Sequence, residues 1–277
     1  MERIDAHHHF WFYDPEGYAW IDDRMSVLRR NFLPEDLEPE LQCAGVTGVI
    51  SVEARPSWRE TWQLLQFAND AKFIRGVVGW LPLIDADLPR KLPTLTDHPK
   101  LKGIRHNLQD EPDAFYMLRE DFNRGLSDLK PYQLAYDILI YERHLPQTVT
   151  FIDRHPGQVF VLDHIAKPRI AAGELSPWQE NLRELALRPN VYCKLSGIIT
   201  EADWTNWTEA QLRPYFDVVL KAFGPERILF GSDWPVCLVA GAYQRWVDVV
   251  ATLISDLPVA DQALIWAGTA RKAYHLA

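Results

Sequence analysis

The sequence predicts an α/β fold, a single (β/α)8 or TIM barrel that spans residues 1–277. Eight short apolar or β-branched runs alternate with segments of helical periodicity, which is typical of parallel βα units. The length of 277 residues also suits one such barrel, which needs about 250 residues. No linker, internal repeat or low-complexity tract divides the chain, and no G-x-G-x-x-G follows a predicted strand, as a dinucleotide-binding doubly wound sheet would require.

Composition and charge exclude several classes of partner. The formal net charge is −9 without any run of Lys or Arg, so nucleic acid and anionic membranes are not expected partners. No stretch reaches the roughly 20 apolar residues of a membrane helix, and the N-terminus lacks a signal-peptide pattern. Three cysteines without paired spacing indicate a reducing, cytoplasmic setting. The sequence therefore favours a small-molecule partner and leaves the oligomeric state open.

Four strands are predicted in the first half of the chain, at residues 4–9, 47–52, 76–80 and 101–105. A loop rich in aromatic residues follows the first strand. The next helix is expected to begin near Pro34 and to end before Gly45, because proline suits a first helical turn and glycine suits a helix end. Ser57 is the expected N-cap of the helix after the second strand.

Four more strands are predicted at residues 134–138, 159–163, 191–195 and 228–232. The helices expected around them cover residues 144–154, a segment from 176 onward, 209–223, 243–254 and 259–274. Ser176 is the predicted cap of its helix, with Pro177 as the first helical residue. Gly224 and Pro225 are expected to end the helix that precedes strand eight.

Polar side chains recur where the predicted strands end. His7 and His9 project to one face of strand one if that strand is regular, and His8 projects to the other face. Other strands end in His106, His164 and Asp233. Barrel strands are buried on both faces, so ionisable groups there are costly unless they are paired or used. One such histidine can be a core residue with satisfied hydrogen bonds, but the whole set predicts an active site.

Five motifs lie at these strand ends: D-A-H-H-H-F-W at 5–11, G-I-R-H at 103–106, D-H-I-A-K-P at 163–168, K-L-S-G at 194–197 and F-G-S-D-W-P at 230–235. In this order they resemble the sugar-lactonase branch of the amidohydrolase superfamily, which includes L-fuconolactonases and L-rhamnonolactonases. The resemblance spans essentially the whole chain. It implies a cytoplasmic hydrolase of carbohydrate catabolism that opens an aldono-1,4- or 1,5-lactone to the aldonic acid.

The resemblance also implies catalytic roles for four residues. The catalytic Asp of the family falls on Asp233, expected to activate water, and its histidines fall on His7, His9 and His164, expected to polarise the lactone carbonyl. The same four side chains could hold one divalent cation such as Zn²⁺, although a lactone is an activated ester that can be opened without metal. No histidine stands on strand five, where binuclear members of the family have a ligand, so a binuclear centre is not expected.

Substrate contacts are expected from a mixture of charged and aromatic residues, namely Arg105, His106, Trp11, Trp20, Trp80, Lys194 and Trp234, with Glu53 as a further candidate. Arg105 and His106 are neighbours in one strand, so only one of them can face inward. A tryptophan taken alone is more often a core residue than a substrate contact. Two alternative functions are a zinc-dependent decarboxylase of the same superfamily and a non-catalytic barrel that binds sugar acids.

Overall fold

The computed structural model describes residues 1–276 and contains one eight-stranded parallel sheet with the strands in sequence order. The strands are β1 (Ile4–His8), β2 (Gly48–Val52), β3 (Ile74–Gly79), β4 (Leu101–His106), β5 (Ala135–Ile138), β6 (Phe160–Leu162), β7 (Val191–Leu195) and β8 (Ile228–Phe230). The seam between the first and last strands is joined by backbone bonds. The Asp233 N–H donates to the His7 carbonyl and the His9 N–H to the Trp234 carbonyl, each at 2.7 Å. The predicted barrel is confirmed.

Helices surround the sheet: α1 (Pro34–Ala44), α2 (Trp58–Asp70), α3 (Leu88–Thr96), α4 (Glu120–Leu129), α5 (Leu145–Asp153), α6 (Trp178–Ala186), α7 (Glu209–Phe223), α8 (Tyr243–Leu253), α9 (Val259–Ala263) and α10 (Thr269–Ala273). Ser57 caps α2 as predicted, because its hydroxyl accepts the Glu60 N–H. Gly45 follows α1 with φ +65°, the left-handed conformation expected at a helix end. Among the described residues, no helix is long and apolar enough to cross a membrane.

One helix prediction is wrong and another misses an irregularity. Ser176 does not cap α6, because Pro177, with φ −87° and ψ 3°, is itself the N-cap and the helix begins at Trp178. The helix predicted over 259–274 is present from Val259 to Ala273, with a π-helical turn inside it at Leu264–Gly268. Trp266 in that turn packs on Phe230 of β8 with ring centroids 4.7 Å apart. Packing against the barrel therefore overrides the uniform helical pattern.

An irregularity in β1 decides where its histidines point. Ile4 and Ala6 belong to the inner apolar cluster of the barrel, which Tyr274 covers from the C-terminal helix. The register of β1 against β2 shifts between Asp5 and His8, as at a β-bulge. Beyond that shift, His7 also contacts groups inside the barrel, and His8 turns away toward Ser51, with His8 Nε2 2.9 Å from the hydroxyl oxygen.

Candidate active site

The four residues predicted to act together converge at the C-terminal ends of the strands. Asp233 Oδ1 lies 3.3 Å from His9 Nε2, 3.7 Å from His7 Nε2 and 3.9 Å from His164 Nε2. The His7 and His9 Nε2 atoms are themselves 3.3 Å apart. All four residues are at least 96% buried. The carboxylate is therefore surrounded by three imidazole rings that come from β1, from the residue directly after it and from the segment after β6.

Strained backbone presents two of these side chains. His164 and the next three residues all have positive φ, between 50° and 63°, and Asp233 has φ 60°. Non-glycine residues rarely adopt this region, and when they do they cluster at functional sites. Gly197 leaves room for the ring of His164, since a Cβ at that position would lie 2.4 Å from His164 Nδ1. The Ser196 hydroxyl lies 3.0 Å from the same Nδ1 and holds the ring in place.

A hydrogen-bond partner fixes the proton position on the His9 ring. His9 Nδ1 lies 2.9 Å from the Val52 carbonyl oxygen, which can only accept, so Nδ1 carries the proton and Nε2 presents a lone pair when the ring is neutral. Arg105 Nη1, a donor, lies 3.4 Å from His7 Nε2, and a carboxylate oxygen of Asp163 lies 3.2 Å from His7 Nδ1. Lys194 Nζ, a second donor, lies 3.1 Å from His7 Nδ1, so this nitrogen faces a donor and an acceptor at once. The lone pair of neutral His9 faces Asp233 Oδ1, and a proton or a cation between these two atoms is needed to hold them together.

Charge states at the site follow from burial and neighbours. Burial lowers the pKa of His164 to about 4, against the opposing effect of Asp233, so this ring is neutral at pH 7. Burial acts to raise the pKa of Asp233, but His164 and the hydrogen bond with His9 outweigh it and hold the pKa below its usual value. Asp233 is therefore ionised at neutral pH, which is the state that a general base requires.

The residues present fit a divalent cation. Imidazole nitrogen and carboxylate oxygen are ligands that Zn²⁺ prefers, and a tetrahedral site with bonds of about 2.0–2.1 Å separates its ligand atoms by about 3.3 Å. Ligand atoms of His7, His164 and Asp233 all lie within 4.8 Å of one another, and His9 Nε2 is 3.3 Å from two of these residues. The convergence of three ring nitrogens on one carboxylate is the observation that supports this fit.

A buried network of charges lies beneath the four residues. Arg105 donates from Nε to Glu53 (2.8 Å) and from Nη1 to Asp163 (2.9 Å). Lys194 Nζ contacts Asp137, lies 3.0 Å from an Asp163 carboxylate oxygen and lies 3.1 Å from His7 Nδ1. No role for Asp137 or Asp163 was predicted from the sequence. The sequence held a signal for both, since Asp137 on β5 and Asp163 directly after β6 each follow an apolar residue of a buried strand.

A cavity of about 400 Å³ opens above Asp233. Of the predicted residues, it is lined by His9, His164, Asp233, Arg105 and Trp20. Residues that the sequence analysis missed also line it, among them Asn107, Gln109, Asp110, Tyr141, Lys167, Glu201 and Trp204. Most of these stand on loops after the strands, where strand alternation gives no direction for a side chain.

Five of the seven predicted substrate contacts, and the further candidate Glu53, do not line this cavity. Lys194 lies below His7. His106 faces away from the barrel interior, contacts Glu111 with Nε2 2.6 Å from the carboxylate and accepts a bond from the Trp80 indole. Trp80 is thus bound to His106 and is also outside the cavity lining. Trp11 is buried behind Trp20, with 5.9 Å between the ring centroids, and Trp234 packs on Phe32, with 5.2 Å between the centroids. Of the adjacent pair on β4, Arg105 faces inward and His106 outward, as alternation requires.

Comparisons with known proteins give a family and several proteins that this chain resembles. Residues 4–276 match the family described as amidohydrolase. An L-fucono-1,5-lactonase of Burkholderia multivorans is 41% identical over 99% of this chain and 96% of its own length. An L-fucono-1,5-lactonase of Burkholderia ambifaria is 39% identical over 87% of this chain and 83% of its own. Crystal structures of an amidohydrolase from Burkholderia multivorans, one with bound HEPES and one with bound zinc, are 40% identical and superpose over 100% of both chains with a TM-score of 0.97.

Proposed function

The chain belongs to the amidohydrolase family, and from that premise we propose that it is a lactonase that hydrolyses the ring ester of a sugar lactone. The observation that carries the proposal is the ionised carboxylate of Asp233 within 3.9 Å of three imidazole nitrogens at the floor of the cavity. L-fucono-1,5-lactone is the first substrate to test, because curated relatives that are 41% and 39% identical act on it.

Asp233 acts as the general base. Its carboxylate takes a proton from a water molecule, and the oxygen of that water attacks the lactone carbonyl carbon. When the bond from that carbon to the ring oxygen breaks, protonated Asp233 returns the proton to the ring oxygen. General acid–base catalysis of this kind contributes about 10²- to 10⁴-fold to the rate.

The developing oxyanion needs a donor, and His9 and His164 line the cavity beside the base. The Nδ1 proton of His9 is already bonded to the Val52 carbonyl, so His9 can donate to the oxyanion only from Nε2, when that nitrogen carries a proton. His164 is neutral and donates from Nε2 when its Nδ1 accepts the Ser196 hydroxyl. Loss of one oxyanion donor costs about 10²- to 10³-fold in rate. His7 is fully buried and orients the group from below.

A divalent cation held by His7, His9, His164 and Asp233 would act as a Lewis acid toward the carbonyl oxygen. Proton transfer to and from the ring ester remains the work of Asp233.

The test is a panel of aldono-1,4- and 1,5-lactones assayed by acid release, with and without a chelator. We expect hydrolysis of L-fucono-1,5-lactone well above the spontaneous rate. We also expect Asp233→Asn to lower kcat by about 10²- to 10⁴-fold while the fold is kept, because asparagine tolerates the positive φ of this position. The matched control is Asp97→Asn, at a position outside the cavity lining.

Two results would contradict the proposal. The first is that no lactone of the panel is hydrolysed above the spontaneous rate. The second is that Asp233→Asn keeps full turnover. A zinc-dependent decarboxylase would instead release CO₂ from an aromatic acid and lose all activity on chelation.

A further inference from the structure

Two charged side chains in the cavity are not used by the proposed mechanism. Lys167 and Glu201 both line the cavity, and neither side chain forms an ion pair or a hydrogen bond with any other residue in the part of the chain that the structure describes. The other lining cation, Arg105, is bonded to the carboxylates of Glu53 and Asp163. Lys167 therefore offers an ammonium group that is free to bind a ligand.

The fold holds both groups at the cavity wall. Lys167 ends the run of positive φ that starts at His164, so the same strained turn presents both side chains. Its ammonium lies 5.5 Å from the centre of the Tyr141 ring, a cation–π distance that restricts the side chain. Glu201 ends the 3-10 turn at Ile199–Glu201, which follows the neighbouring strand β7. Burial raises the pKa of Glu201, whereas the charge of Lys167 lowers it, so the two groups act on each other electrostatically.

We propose that Lys167 and Glu201 bind hydroxyl groups of the substrate ring and thereby select uncharged, polyhydroxylated lactones. A sugar hydroxyl both accepts and donates, so it can accept from the ammonium and donate to the carboxylate. This inference rests on the proposed lactonase function and names the determinant of its substrate class.

The charges of the cavity support the choice of an uncharged substrate. Asp110, Glu201 and Asp233 line it, against Lys167 as the one lining cation of the described residues that is not already paired with a carboxylate. A lactone that carries its own carboxylate would meet repulsion from this excess of negative charge. The same excess favours departure of the anionic aldonate product.

The experiment compares two lactones of equal ring size on Lys167→Met and Glu201→Gln. One is L-fucono-1,5-lactone, and the other is δ-valerolactone, which has the six-membered ester ring and no hydroxyls. Each variant should lose about 10- to 100-fold in kcat/KM on the sugar lactone, the worth of a charged hydrogen bond, and less than about 3-fold on δ-valerolactone. The loss should fall mainly on KM. Lys221→Met and Glu180→Gln, both at exposed positions on outer helices, are the matched controls.

Equal losses on both lactones would place the two groups at the reacting carbonyl and overturn the inference. Unchanged kcat/KM on the sugar lactone would also overturn it, as would efficient turnover of a lactone that bears a carboxylate. If the wild-type enzyme hydrolyses no lactone, the proposed function itself fails. If it hydrolyses the sugar lactone and the variants keep its preference, only the present inference fails.

Discussion

His164 shows how far one side chain depends on its neighbours. Its φ of 53° is a strained value for a residue with a side chain, and the ring fits only because Gly197 has no Cβ. Gly197 itself has φ 61°. The glycine therefore serves two purposes, a left-handed backbone and a close approach to the imidazole.

Gly197→Ala should lower activity more than stability alone explains. The new methyl carbon would lie 2.4 Å from His164 Nδ1, so the ring must move away from Asp233. We expect a loss of about 10²-fold in kcat, comparable to the loss of one oxyanion donor. The control is Gly173→Ala, with φ 68° and no atom within 4 Å of the added carbon, which carries the backbone strain without the collision. Equal kcat in the two variants would contradict this reading.

The sequence predicted the convergence of His7, His9, His164 and Asp233 because each stands at a strand end, and parallel strands bring those ends together. It could not predict Lys167 or Glu201, which stand on turns. There the direction of a side chain depends on φ values that the residue types do not indicate. Lys194 was predicted to contact the substrate, but it lies against His7 and Asp163 and does not line the cavity, because strand alternation does not indicate how deep in the barrel a side chain lies.

For strand β1, the predicted direction of the histidine side chains was correct, but the prediction of a regular strand was incomplete. His7 and His9 do point together, as period-two alternation requires, but the register shift between Asp5 and His8 also leaves Ala6 in the inner cluster. A bulge of this kind has no signature in the residue types of the strand. Ser57 and Gly45 were predictable from local chemistry, whereas the same chemistry predicted a Ser176 cap that α6 does not have.

The N-terminus of α2 carries a buried carboxyl whose ionisation should be visible in stability. Glu60 accepts the backbone N–H groups of Ala54 and Arg55, each at 3.1 Å. Burial, reinforced by Glu53, raises the pKa of Glu60 from 4.5 to about 8. The native state therefore keeps a proton on Glu60 that the unfolded chain has already lost. This contribution to stability is complete below about pH 4.5 and is lost as the pH rises through about 8.

Glu60→Gln removes that pH dependence, since an amide does not titrate. Relative to the variant, the wild type should lose on the order of 4 kcal/mol of unfolding free energy between about pH 5 and pH 9. Urea unfolding of both proteins across this range measures the difference in the free energy of unfolding. A difference that does not change with pH reports the loss of one carboxyl oxygen that accepts a backbone N–H. Glu180→Gln on the outer face of α6 should give a flat difference. A flat difference for Glu60→Gln as well would show that Glu60 ionises normally.

At the scale of the whole molecule, the site lies across the seam that closes the barrel. Asp5 of β1 accepts the N–H of Ser232 at 2.8 Å and the hydroxyl of Tyr243 at 3.1 Å, which ties the first strand to the last βα unit. The adjacent backbone bonds join His7 and His9 to residues 233 and 234. Groups from the two ends of the sequence thus form one site only when the barrel is closed.

A cation bound at this site should therefore stabilise the closed barrel, because the unfolded chain offers no preformed set of ligands. After chelation and dialysis, Zn²⁺ at about 100 times its Kd should add about 2.7 kcal/mol to the free energy of unfolding and raise Tm by roughly 5–10 °C. Ca²⁺ should give no shift, since it prefers six to eight oxygen ligands. Asp233→Asn removes the only carboxylate of the ligand set and should abolish most of the Zn²⁺ shift. An equal shift in that variant would place the bound zinc elsewhere on the protein, and no shift in the wild type would mean that His9 and Asp233 are held together by a proton alone.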